Sequence, residues 1–107
     1  MKHIIMTGAL LLSCPLSNAD GVHTVGAGTL YCEDFIRGKS NQAESIQTAQ
    51  WAAGFITSFN FYSTGKQATP ESTEVMYKSL ELYCTKNPKH RIIDAAAALV
   101  KQYRSEQ

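Results

Sequence analysis

The chain has 107 residues, enough for one small domain, and 44% of them are apolar, so a packed core is within reach. Ten Lys or Arg stand against nine Asp or Glu, a formal net charge of +1, with no basic stripe and no acidic tail. That balance gives no footing to nucleic acid or an anionic membrane surface as a partner.

Residues 1–19 read as a secretory signal peptide. Lys2 supplies a positive start and Ser17-Asn18-Ala19 a small-x-small cleavage site. Between them, Ile4 to Leu12 is an apolar run too short for a membrane span, which needs roughly 20 residues. An alternative processing lies in Leu11-Leu12-Ser13-Cys14, which resembles a lipoprotein box and would make Cys14 a lipid anchor. Cleavage after Ala19 instead yields a soluble periplasmic or secreted protein and removes one of the three cysteines. Cys32 and Cys84 then remain in an oxidising compartment, where a disulfide is the default. The closed loop of about 50 residues is worth roughly 3–4 kcal/mol on chain-entropy arguments.

Residues 20–29 carry three glycines and little apolar periodicity, and they read as a flexible leader. Residues 30–107 then form a single helical domain. A first short helix is expected from about Leu30 to Arg37, with Gly38 as its stop. A second runs from about Ala43 to Tyr62. Ile46, Ala49, Ala53 and Ile56 fall on one stripe of it, and Trp51, Phe55, Phe59 and Tyr62 on another. Two apolar stripes predict the central helix of a bundle, with Gly54 and Ser58 letting a neighbouring backbone approach. Thr69-Pro70-Glu71 has the form of a helix start: hydroxyl cap, proline, first-turn acid. That third helix runs to about Thr85, with Met76, Leu80, Tyr83 and Cys84 inward. Asn87-Pro88 ends it and opens a fourth, about Pro88 to Arg104, whose Ile92, Ala95, Ala96, Leu99, Val100 and Tyr103 share one face. No segment alternates as a strand. The expected class is all-α, a small four-helix domain stapled by one disulfide.

Little in the chain suggests catalysis. After cleavage only His23 and His90 remain, without the close Cys/His spacing of a metal site. Glu33 and Asp34 are adjacent acids that point in different directions on a helix. There is no C-x-x-C and no phosphate-cradling glycine loop. The reading is non-enzymatic, with no catalytic residue, metal or cofactor. What stands out is aromatic: Trp51, Phe55, Phe59, Phe61 and Tyr62 crowd on one helix. Phe59 to Tyr62 spans a full turn, so part of that surface is expected to be exposed, as suits a protein that binds another protein.

Tyr31-Cys32-Glu33-Asp34-Phe35-Ile36, Trp51-Ala52-Ala53-Gly54-Phe55 and Tyr83-Cys84-Thr85-Lys86-Asn87-Pro88, followed by an amphipathic helix, together resemble the HdeA/HdeB acid-stress chaperones. That resemblance implies a periplasmic all-α protein with Cys32 and Cys84 as its disulfide. It also implies a homodimer that acid loosens, exposing apolar surface to unfolding clients. The aromatic-x-x-Gly helix, the C-x-x-N-P turn and the terminal helix are similar as well to the Tai/Rap immunity proteins of type VI secretion. This second resemblance implies a small periplasmic helical protein that binds and neutralises a toxin, often a cell-wall amidase. A third reading is an envelope-binding protein with neither role.

Overall fold

The computed structural model describes residues 21–106. They form four α-helices: α1 (Cys32–Arg37), α2 (Gln42–Tyr62), α3 (Thr73–Lys86) and α4 (Ile92–Ser105). Short 3-10 turns lie at Gly26–Thr29 and Gly38–Ser40. The extended pairing among the described residues is a single antiparallel bridge between Tyr31 and Arg91. The all-α, four-helix class is therefore as expected. Residues 1–19, with the signal peptide and Cys14, lie outside the described residues.

The most completely buried helix is α4. It buries Ile92, Ile93, Ala95, Ala96, Leu99, Val100 and Tyr103, which includes every residue of the expected face. Alanines at 95 and 96 keep that face low, and α4 packs against both α2 and α3. Met76, Leu80 and Cys84 close the core from α3, and Phe35 and Cys32 from α1. Each fully buried Leu, Ile or Met side chain contributes about 1.5–3 kcal/mol relative to exposure. Tyr103 brings a hydroxyl into this core and donates it to Ser79 Oγ at 2.8 Å, so its polar end has a partner.

Cys32 and Cys84 are disulfide-bonded, with Cα atoms 4.8 Å apart and both residues fully buried. The bond ties α1 to α3. Hydrogen bonds tie α1 to the segment before α4 as well. The first helical turn has no side-chain cap; instead Cys32 N donates to His90 O at 2.7 Å and Glu33 N to Pro88 O at 3.0 Å. In return Ile92 N donates to Leu30 O at 2.9 Å. This clip corrects the expected start of the fourth helix. Residues 88–91 are held extended or in a turn, and α4 begins only at Ile92, where the Asp94 carboxylate accepts from Arg91 N at 2.9 Å.

The third helix also starts later than expected. Its cap is Ser72, whose side chain accepts from Val75 N, and Thr69-Pro70-Glu71 is not helical. The cause is Asn60 of α2. Its side-chain amide pairs with both backbone groups of Ala68: Ala68 N donates to Oδ1 at 2.7 Å, and Nδ2 donates to Ala68 O at 2.9 Å. Ala68 is 1% exposed. This peptide mimicry pins the chain along α2, and the helix begins only after it is released.

Gly38 is the stop expected for α1, and the reading of α2 is corrected in part. Gly38 does end α1, but with φ −89, a value open to any residue, and the chain continues as a 3-10 turn. The reading of α2 as a central helix with two apolar stripes holds only in part, since the Trp51–Phe55–Phe59 flank is half-buried against the core, and its Gly54–Ser58 approach point does not hold. Its buried residues, Ser45, Thr48, Ala49, Ala52 and Ile56, form one stripe, while Ile46 is 49% exposed. At about 100° per residue, Gly54 lies opposite that stripe. Gly54 and Ser58 are exposed, and a Cβ on Gly54 would meet nothing within 4 Å.

Residues 26–29 are not a flexible leader. They form a 3-10 turn packed on α2 and α4, with Gly28 buried. Trp51 holds this turn: its Nε1 donates to Val25 O at 2.8 Å. A Cβ on Gly28 would stand 2.3 Å from the indole ring, so only glycine permits the approach.

Candidate functional site at the aromatic end of the second helix

The aromatic residues singled out in the sequence separate into two groups along α2. Trp51 is half-buried, bonded to Val25 and stacked on Phe55 with ring centres 5.7 Å apart. It serves the attachment of residues 25–28 to the helix. Phe55 and Phe59 are also half-buried, and they follow Trp51 down the same flank at four-residue spacing, packed against the core.

Phe61 and Tyr62 close the helix and are each 78% exposed. Their rings meet edge to face at 4.9 Å, a favoured aromatic geometry that presents both to solvent as one unit. Tyr62 continues the Phe55–Phe59 flank, whereas Phe61 turns away from it. The helix stops there because Ser63 leaves the helical region, its N–H returning to Phe59 O at 2.9 Å. The last turn of α2 thus raises an aromatic knob beside a groove of about 560 Å³ that borders Phe55, Phe59, Tyr62, Gly65 and Arg104. The guanidinium carbon of Arg104 lies 5.2 Å from the centre of the Phe59 ring.

Among the described residues the two histidines, His23 and His90, lie elsewhere, together on a more polar cleft of about 540 Å³ that also borders Lys89, Arg91 and Asp94. His90 is exposed and sits in the turn before α4 rather than in a helical first turn. Its Nδ1 is 2.6 Å from the Tyr83 hydroxyl. Burial, reinforced by the Asp94 carboxylate, raises the pKa of that hydroxyl above its usual range. Which of the two donates in this hydrogen bond depends on the imidazole tautomer. Glu33 and Asp34 do diverge: Glu33 pairs with Lys89 at 3.4 Å, and Asp34 with Arg37 on its own helix. Among the described residues no group of three or more His, Cys, Asp or Glu is placed to hold a metal ion, and no helix is long and apolar enough to cross a membrane.

The residues missed by sequence reasoning are Arg104 and Asn60. Both act on the end of α2 from afar, Arg104 from the last turn of α4 and Asn60 by fixing Ala68. Neither carries a local signal. Comparison with protein-family models, with curated proteins and with solved structures returns no match to this chain.

Proposed function

We propose that this is a non-enzymatic binding protein of an exported compartment that engages another protein through the aromatic end of α2. The observation that carries the reading is the exposure of Phe61 and Tyr62, 78% each, in the folded domain. Two adjacent rings held in solvent beside half-buried Phe55 and Phe59 gain nothing for folding, but they supply the aromatic anchor typical of interface hot spots. Export is supported by the buried disulfide together with the signal-peptide character of residues 1–19.

Because this surface is already formed in the folded state, the geometry favours recognition of a folded partner, as in toxin immunity. Acid-stress holding of unfolded clients is the second reading, and a different observation supports it. Lys89–Glu33 and Lys39–Glu81 tie the region of α1 to the rest of the domain through exposed or half-exposed side chains. Where these ties are broken, Cys32–Cys84 still restrains the chain.

The two readings part on the pH at which binding appears. Tight binding of a co-encoded secreted hydrolase at neutral pH, abolished by Phe61→Ser with Tyr62→Ser, is the expected result for immunity. Protection of an acid-sensitive client from aggregation at about pH 2–3, with none at neutral pH, would transfer the assignment to the chaperone. Neither activity being altered by the double substitution would overturn the aromatic surface as the site.

A further inference from the structure

The groove at the end of α2 is also electrostatically one-sided. Phe55, Phe59 and Tyr62 turn toward it, Arg104 stands at its edge, and no Asp or Glu lines it. The guanidinium of Arg104 is aimed rather than loose. It lies over the Phe59 ring, and its Nε donates to Lys66 O at 3.0 Å. Gly65 passes beneath it: a Cβ there would stand 3.1 Å from Nη2. The ion pairs among the described residues use Arg37, Lys39 and Lys89, so Arg104 has no carboxylate partner there. Of the five N–H donors of a guanidinium, Lys66 O takes the one on Nε, and among the described residues no carboxylate pairs with those on the terminal nitrogens.

A partly exposed planar guanidinium with one face on an aromatic ring and no carboxylate partner among the described residues suits bidentate pairing with a carboxylate. The neighbouring ring faces suit a large apolar side chain. We infer that the groove takes an acidic segment of a partner protein. An Asp or Glu pairs with Arg104, and an adjacent apolar residue sits against Phe55, Phe59 and Tyr62. This rests on the protein-binding reading above and specifies the chemistry of the partner. Arg104 becomes a specificity-determining residue, since a neutral segment leaves it unpaired and a basic one is repelled.

The test uses three capped peptides of equal length with a Phe-Asp-Leu, Phe-Asn-Leu or Phe-Lys-Leu centre, titrated into the purified protein and followed by two-dimensional NMR. Resonances of Phe59, Tyr62, Gly65 and the Arg104 side chain are expected to move. The Asp peptide is expected to bind about fivefold more tightly than the Asn peptide, and the Lys peptide most weakly. That advantage should vanish in Arg104→Gln and survive in part in Arg104→Lys, which keeps the charge without the planar fork. Should Arg104→Gln fail to fold, raising salt to about 0.5 M on the native protein makes the same comparison, because only the Asp peptide should lose affinity. Equal binding of all three peptides, or preference for Lys, overturns the acidic-segment inference and leaves the aromatic docking surface standing. If no peptide moves the groove resonances, the docking surface itself falls with it.

Discussion

Gly28→Ala offers the sharpest check on how the residues before α1 are attached. The added methyl would lie 2.3 Å from Cη2 and Cζ2 of Trp51 and 2.9 Å from Cγ2 of Thr24. The indole is a rigid plane held by its bond to Val25 and by stacking on Phe55, so it cannot yield as a flexible side chain would. Forcing a methyl into such a contact costs about 1–3 kcal/mol. The strain has an escape, because residues 21–29 can peel from α2. Peeling forfeits the Trp51–Val25 hydrogen bond, about 1 kcal/mol, and uncovers one face of the indole, about 1–2 kcal/mol. Undocking therefore caps the expected loss in urea unfolding at about 2–3 kcal/mol, and it is the route taken where relieving the 2.3 Å contact in place costs more than that. Trp51 is the only tryptophan in the chain, so its fluorescence should shift to the red as the turn leaves. In a Trp51→Ala background the same glycine substitution should be nearly neutral, which a double-mutant cycle followed by circular dichroism would read. Unchanged emission, with stability within about 0.5 kcal/mol of the parent, would refute the packed turn.

Exchange of Cys32 and Cys84 for serine should destabilise the domain by about 2–5 kcal/mol in thermal or urea melts, and the intact mass of the oxidised protein should be two hydrogens below the dithiol value. Gly54→Ala should be stabilising by about 0.5–1 kcal/mol, since the site is exposed and helical; a loss of stability there would mean that a neighbour approaches this face. Asn60→Ala removes both bonds to Ala68 and should cost about 1–3 kcal/mol, with faster amide exchange at Ala68 as its local sign. Phe61→Ser with Tyr62→Ser should leave the melting curve nearly unchanged while removing partner binding, because neither ring is needed by the core.

Periodicity made the inner face of α4 legible, because Ile92 to Tyr103 repeats at helical spacing with no competing pattern. The disulfide was legible from cysteine chemistry and the expected compartment. Exposure at Phe61 and Tyr62 followed from the impossibility of burying a full helical turn of aromatics. The failures share a cause in contacts between residues far apart in sequence. Thr69-Pro70-Glu71 has a good local start signal, but Asn60 holds Ala68 in another conformation. Pro88 looks like a helix opening, yet residues 88–91 are claimed by α1. The glycines at 26 and 28 suggest looseness when read alone; beside Trp51 they are what allows close packing. Gly54 misleads when taken alone, because an isolated glycine in a helix suggests close approach, whereas its angular position places it outward. In the candidate site, the rings were visible in the sequence and Arg104 was not, since its relation to Phe59 exists only after α4 has folded back along α2.

The clip between Leu30–Glu33 and Pro88–Ile92 also sets an order of events as the chain is made. Tyr31 and Arg91 are 60 residues apart, and the amides at the start of α1 find their acceptors only beyond Lys86. At about 5–20 residues per second, α1 waits roughly 3–12 s for the segment that completes it. During that interval α2 can form on its own local signals, but the groups at the start of α1 stay open to water and Cys32 has no Cys84 to meet. The domain is thus closed by its last third. A chain stopped before Pro88 would lack both the last helix and the backbone acceptors that hold the first turn of α1.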